Sequence, residues 1–281
     1  TKIGPTEKTF PGRYNFLINS IGSSYPENPP AAGGLGIGFG TITVSPTMNS
    51  RVVGVMPDGS SLTYSSAIYS HSESPKGWLL PVLSYRDNGG HVSGGWGWSG
   101  EPTNDASIAP LSGDLSITRS AAPRSRLYPD GFQSENFRVE GSRILKATQS
   151  IPDPAQGQTN ATFTVLNGDD FSEQPLSAPL ETSVKVHNDL RITVNGLNSQ
   201  GLRIDVYPPT GFFTGKQTLN ELIPGSETRR IKRDIHFRGM IVPDLHRGGG
   251  LFQIMQLPNP LADPPVTRDN ALIQTGRVIL K

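Results

Sequence analysis

Short segments that alternate apolar and polar residues, each ended by turn residues, run through most of this chain. Thr41–Val44, Arg51–Met56 and Leu62–Tyr69 alternate in this way. The tripeptide Pro57-Asp58-Gly59 between the last two is typical of a hairpin, because proline presets φ and glycine tolerates a positive φ. No window longer than about ten residues keeps a helical period, and the connections are too short for the helical crossovers of a parallel sheet. The sequence therefore predicts an all-β, antiparallel fold.

Composition and a similarity between the two halves of the sequence extend this prediction to two modules. Gly and Pro supply 32 and 25 of the 281 residues, as expected for many short strands joined by tight turns. Thr41–Gly54 and Leu202–Gly215 each contain a strand, a proline turn, a second strand and a glycine. We therefore predict two tandem antiparallel β-barrel or sandwich modules with short hairpins and Gly/Pro-rich loops. The predicted divisions are an N-terminal arm or linker at 1–11, a first module at 12–120 and a second module at 121–281, with the proline-bearing segment Ala121–Pro129 at the boundary.

Charge and cysteine content exclude several classes of function. The formal net charge is +1 and only 17% of the residues are charged, so the chain has no long-range field to attract nucleic acid or an anionic membrane. No stretch approaches the ~20 apolar residues of a membrane-spanning helix. The absence of cysteine excludes disulfides, zinc–thiolate sites and a cysteine nucleophile. With its abundant Ser, Thr, Asn and Gly, the composition favours an extracellular or cell-surface protein.

Several motifs follow one another in a recognisable order. Those of the first half are Gly38–Val44, Met56–Ser60, Trp78–Pro81 and Gly94–Trp96. They resemble a β-rich module in the C-terminal regions of large secreted bacterial surface proteins. The second half resembles the companion module that often follows it, through Gly201–Ile204, Thr210–Gly215, Phe237–Met240 and Gly276–Leu280. The resemblance implies a surface or extracellular structural role and supplies no catalytic residues.

Two Asp-x-His units are candidates for a metal site. Asp234 and His236 share one face of a predicted strand, and Asp244 and His246 repeat the spacing. On neighbouring strands, two carboxylates and two imidazoles would suit a divalent metal. The alternative is the polar outer face of an amphipathic strand, with Pro243 placing the second unit in a turn.

A third group of oxygen ligands lies in a predicted loop. Asn167, Asp169 and Asp170 are residue types that calcium prefers, and calcium-bound turns are the functional interpretation of this stretch. The Asn-Gly-Asp sequence is also a good turn by itself, so we expect no cofactor, with calcium as the alternative.

Three tryptophans lie close together in the first half. Trp78, Trp96 and Trp98 could form a glycan-binding face if their planes were exposed, and Trp96 and Trp98 share one face of a strand. The alternative is that they fill the core of a barrel.

These observations predict a non-enzymatic structural module, in which self-association builds a fibre or surface layer. Expected partners are further copies of the chain, other surface proteins and glycans. Strand addition by residues 1–10 or by Ala271–Lys281 would provide one route to assembly. The alternatives are a carbohydrate-binding module and, third, a glycoside hydrolase or a metal-dependent hydrolase, although no Gly-x-Ser-x-Gly motif occurs.

Overall fold

The computed structural model of the chain describes residues 11–20, 35–71, 77–85, 90–99, 111–144, 158–167, 176 and 179–281. Within these ranges there is no α-helix, and no helix that could cross a membrane. The first sheet contains β1 Gly12–Ser20, β2 Gly38–Val44, β3 Asn49–Val55, β4 Ser61–Ala67, β5 Tyr69–His71, β6 Gly77–Tyr85, β7 His91–Ser99, β8 Leu111–Arg119 and β9 Phe132–Ile144. The second contains β10 Gln158–Asn167, β11 Leu180–His187, β12 Ile192–Val194, β13 Arg203–Tyr207, β14 Phe212–Leu222, β15 Arg230–Val242, β16 Arg247–Met255 and β17 Ile273–Leu280, with a 3₁₀ turn at Pro243–Leu245.

The first sheet is an up-and-down meander that nearly closes into a barrel. Its strand order is β4-β3-β2-β1-β9-β8-β7-β6-β5, so the last strand returns to pair with the first. The edge strands β4 and β5 are separated in the chain only by Ile68, so one bent stretch of chain joins both edges. Counted as a single strand, they complete a barrel of about eight strands, the size at which side chains alone fill the interior.

The second sheet repeats this meander as a half-barrel. Its order is β12-β11-β10-β17-β16-β15-β14-β13, and again the first and last strands of the module pair. Its edges are joined by residues 195–202 instead of by a continuous strand. The amide of Asn195 donates to Ser183 O at 2.8 Å, and the amide of Thr218 donates to Gln200 O at 2.9 Å. The predicted all-β fold with two tandem antiparallel modules is confirmed.

Aromatic side chains fill both interiors. In the first barrel, Phe16 lies against Trp96 with ring centroids 4.8 Å apart, and Tyr14 meets Trp98 edge to face at 5.5 Å. In the half-barrel, the buried aromatic residues are Phe163, Phe213, Phe237 and Phe252. Among the described residues, aromatic side chains therefore contribute to the core of each barrel.

Glycines lie opposite several of these rings. Phe16 is directly opposite Gly40, and Phe213 is directly opposite Gly239. A Cβ at Gly40 would lie 2.6 Å from the Phe16 ring, and one at Gly239 would lie 2.3 Å from the Phe213 ring. Each ring therefore occupies space that a side chain on the opposite strand would need, which explains glycine in these strand interiors.

Strand β1 is buried on both faces because the second sheet covers its outer face. Residues 14–18 are buried without interruption. Alternate residues fill the first barrel, while Leu17 joins an apolar cluster between the two sheets. The other buried members of this cluster are Ile37 and Phe39 from the first module and Met240, Val242 and Leu251 from the second. A strand that is buried on both faces has a nearly continuous apolar run instead of an alternation.

Polar contacts reinforce this interface. Asn15 is only 1% exposed, and its side-chain amide donates to Thr210 O at 2.7 Å and to Ile241 O at 2.8 Å. The Arg277 guanidinium donates to the Ser20 hydroxyl at 2.8 Å. The two modules therefore share an interface that combines apolar burial with buried hydrogen bonds.

The first sheet extends past the predicted module boundary at residue 120. Strand β9 pairs with both β1 and β8, so the first module continues to Ile144. The segment Ala121–Pro129 is instead the connection between β8 and β9, and it reaches the second sheet. Arg126 donates to Ala271 O at 2.8 and 2.6 Å, and the amide of Ile273 donates to Arg126 O at 2.7 Å. Its two prolines belong to a loop of the first module that contacts the second sheet.

The pairing of the strands also shows which strand could pair with a neighbouring chain. The predicted donor strand Ala271–Lys281 is unsuitable, because β17 is already paired on both edges, with β10 and β16. The other predicted donor, residues 1–10, lies outside the described residues, as does nearly all of the predicted arm.

Candidate functional site

The outer faces of four neighbouring strands in the second sheet form a cleft of about 600 Å³. Two rows of side chains cross β13, β14, β15 and β16 in register. The first row is Arg203, Lys216, His236 and Gln253. The second row, one pleat away, is Asp205, Thr214, Arg238 and Leu251. We call the space lined by these eight residues the four-strand cleft.

Successive side chains of a strand point to opposite faces of the sheet, which explains why both rows lie on its outer face. Residues between the rows, including Ile204, Phe237 and Phe252, point into the core of the half-barrel. Their neighbours Lys216 and His236 are exposed. The apolar face of the sheet thus fixes the positions of the polar side chains on the opposite face.

The first module borders one end of the four-strand cleft. The Arg238 guanidinium donates to Gly59 O at 3.2 Å. Gly59 belongs to the predicted Pro57-Asp58-Gly59 hairpin, and its φ of +83° explains the glycine. Asp58 in the same hairpin is 1% exposed and pairs with Arg119 at 2.9 Å, so its charge is compensated inside the first module.

The first row places basic side chains next to each other. Lys216 lies directly opposite Arg203 on one side and His236 on the other. Cβ atoms of such cross-strand pairs are ~5 Å apart, a spacing at which like charges repel. Asp205 is the carboxylate of the two rows, and it accepts from Arg203 Nε at 2.9 Å. Three fixed cations and one carboxylate give the rows a net charge of +2 when His236 is neutral.

These side chains suit the binding of an anion. Lys216 and Arg238 donate hydrogen bonds that carry charge, while Thr214, Gln253 and Asp205 offer polar groups that can bind hydroxyls. The four-strand cleft therefore combines positive charge with acceptors and donors for neutral groups.

The first predicted metal unit lies on the exposed face of β15. Asp234 and His236 are both exposed, and the Thr218 hydroxyl donates to Asp234 Oδ1 at 2.7 Å. This is the polar outer face that the sequence offered as the alternative. His236 belongs to the four-strand cleft, whereas Asp234 lies beside a second, smaller cleft.

The second predicted metal unit lies at the far end of the same strand. Asp244 contributes its backbone to the 3₁₀ turn, its side chain lying outside the described atoms, and His246 follows with a φ of +49°. The strand from His236 to Val242 spans ~20 Å, so the structure does not bring the two imidazoles together. Among the side chains that the structure describes, no group of three or more His, Asp or Glu could hold a metal ion.

Asn167 has a structural role at the end of β10. Its side-chain amide donates to Leu176 O at 2.8 Å, and its Oδ1 accepts from the Leu176 amide at 2.8 Å. The other two predicted calcium ligands, Asp169 and Asp170, lie outside the described residues.

The tryptophans do not form an exposed face. Trp96 and Trp98 are 0% and 1% exposed inside the first barrel, so they present no plane on which a sugar could stack. The backbone of Trp78 lies opposite Trp98, and the side chain of Trp78 is outside the described atoms.

His236 was predicted as a site residue from the sequence, but its neighbours in the four-strand cleft were not. Arg203 and Arg238 each follow an apolar residue in their strands, and this alternation is the signal that could have placed them on the outer face. Their proximity depends on the register of β13, β14 and β15, which the sequence does not reveal.

Comparisons with known proteins identify no family. No family model matches the sequence, and no curated protein matches it either. One similar solved structure is a protein from Bacteroides fragilis that is described provisionally as an outer membrane protein. It is 11% identical, the match covers 96% of each chain, and the TM-score is 0.22. A TM-score this low supports no conclusion about fold or function.

Proposed function

We propose that this chain is a non-enzymatic structural module of the cell surface. The observation that carries the proposal is the interface between the two barrels, in which β1 is buried on both faces and Asn15 bonds two carbonyls of the opposite module. Such an interface makes a double barrel that holds its shape, which is what a structural module requires.

The aromatic cores support the same proposal. The largest fully buried side chains of the first barrel are Trp96, Trp98 and Tyr14, and phenylalanines take their place in the half-barrel. Apolar side chains occupy the interiors of both barrels. Contacts with partners would therefore use the outer surfaces and the edge strands.

Self-association is the finer part of the proposal. The half-barrel has edge strands at β12 and β13, and edge strands are where an extended segment of another chain can pair. The expected product is a fibre or a surface layer.

Two experiments test the two parts separately. Brief protease treatment of intact source cells, with the fragments identified by mass spectrometry, should release peptides of this chain, because a surface module is accessible from outside. Recovery of the chain only after lysis would contradict the surface location.

Electron microscopy of the purified chain, combined with light scattering over a concentration series, tests assembly. Regular filaments or sheets are expected at high concentration. A monomer at every concentration would contradict self-association and leave the surface location to the first experiment.

A further inference from the structure

We propose that the four-strand cleft binds acidic carbohydrate, meaning a sugar chain that carries carboxylate or sulfate groups. The proposal rests on the two rows of side chains on β13–β16 and does not depend on the surface location or on self-association.

The first argument is the crowding of positive charge. Lys216 stands between Arg203 and His236 in the first row. Within the described part of the chain, Lys216 has no ion-pair partner, while Asp205 is engaged by Arg203. Like charges placed directly opposite each other destabilise a sheet, and a bound anion would remove that cost.

The second argument distinguishes carbohydrate from a nucleic acid. Asp205 lies within the positive rows, where its carboxylate can accept a hydrogen bond from a sugar hydroxyl, a group that a DNA backbone does not offer. Single-stranded nucleic acids also need exposed rings for base stacking. The aromatic residue at the cleft, Phe237, is 3% exposed and belongs to the core.

The third argument is shape. Four strands span ~14 Å from β13 to β16, and the cleft volume of about 600 Å³ is within the range of small-ligand sites. Thr214 and Gln253 lie at different strands of this span, so uncharged contacts accompany the charged ones. The space suits a short segment of a sugar chain.

The test is a calorimetric titration of the full chain with four probes at the same salt concentration. The probes are a galacturonate oligosaccharide, a sulfated oligosaccharide, a neutral oligosaccharide of similar length and a single-stranded oligonucleotide. Binding of at least one acidic oligosaccharide is expected, with no binding of the neutral one. The first two probes distinguish recognition of carboxylate from recognition of sulfate.

Two lysine variants locate the site. Lys216→Gln should weaken binding about fivefold, because it removes the central cation of the first row. Lys232→Gln is the matched control: it removes the same charge from an exposed position on β15 outside the four-strand cleft, and it should leave affinity within about twofold. Circular dichroism should show that both variants keep the fold.

Three results would overturn the proposal. The first is that neither acidic oligosaccharide binds the unmodified chain. The second is an equal loss of affinity in Lys232→Gln and Lys216→Gln, which would indicate general charge attraction. The third is oligonucleotide binding as strong as that of the sugars with the same loss in Lys216→Gln, which would make the cleft a site for any polyanion.

Discussion

The two barrels have the same meander but close it differently. In the first, the bent stretch β4–β5 carries the chain from one edge of the sheet to the other with only Ile68 between. In the second, residues 195–202 take that place, and β12 and β13 remain edges. The nearly closed barrel contains both described buried tryptophans, and the half-barrel carries the four-strand cleft, which begins at its edge strand β13. The same meander therefore forms both a core with buried tryptophans and an accessible cleft.

The largest expected effect concerns the first core. Trp96→Ala should lower the free energy of unfolding by about 3–5 kcal/mol, because it leaves a large cavity in the core of the first barrel. Phe213→Ala, also 0% exposed, makes the matching cavity in the half-barrel. Denaturant unfolding followed by circular dichroism should show one transition in each variant. A variant that lost only about half of the signal at low denaturant would show that the barrels unfold separately.

Glycines opposite aromatic rings should be equally sensitive in the two barrels. Gly40→Ala and Gly239→Ala should each cost about 2–3 kcal/mol, because the new Cβ would lie 2.4 Å from a backbone oxygen as well as against a ring. Thr214→Ala, at an exposed position, is the control and should change stability by less than about 0.5 kcal/mol. Thermal unfolding of the three variants checks this. A tolerated alanine at Gly239 alone would mean that the half-barrel is more loosely packed than the first barrel.

The interface between the barrels depends on Asn15. Asn15→Ala should cost about 2 kcal/mol, because Thr210 O and Ile241 O lose the donor that reaches them from the first module. Asn136→Ala removes the same side chain from an exposed position on β9 and should change stability by less than about 0.5 kcal/mol. Equal stabilities of the two variants in urea would contradict the role of Asn15.

Alkaline pH gives the smallest of these effects. Burial, and to a lesser extent the Asp58 carboxylate, raises the pKa of Tyr128 above its ordinary value of 10. The folded chain therefore keeps the phenolic proton that the unfolded chain loses, so the stability this proton contributes is present below pH 10 and is lost above it. The loss is ~1.4 kcal/mol for each pH unit in that range.

Tyr128→Phe should therefore reduce the dependence of stability on pH between 10 and 11. Burial also raises the pKa of Tyr14, so part of the dependence remains. Tyr207→Phe, at a tyrosine that is 58% exposed, should leave the dependence unchanged. The measurement is the free energy of unfolding in urea at pH 9, 10 and 11. An unaltered slope in Tyr128→Phe would contradict this assignment.

Local patterns were sufficient to predict the fold class and most strands. The alternation in β2, β3 and β4 and the hairpin at Pro57-Asp58-Gly59 appear where they were expected. These features depend on neighbouring residues, so the sequence contains what is needed to find them.

Features that depend on distant contacts were missed. The burial of β1 on both faces, which its nearly continuous apolar run signals, was not predicted. Ala121–Pro129 was taken as a boundary because loop composition is the same in a linker and in a bridge between sheets. The similarity between Thr41–Gly54 and Leu202–Gly215 did not correspond to equivalent positions in the two sheets, since β2 lies within its sheet whereas β13 is an edge.

The central claim is that the two barrels form one structural unit, and the tryptophans provide a local probe of it. All three, at positions 78, 96 and 98, belong to β6 and β7 of the first barrel, so their fluorescence reports on that barrel alone. Circular dichroism reports on both sheets. The two signals should unfold with the same midpoint and slope in urea. Two separate midpoints would contradict the shared interface, and with it the proposal of a rigid double barrel.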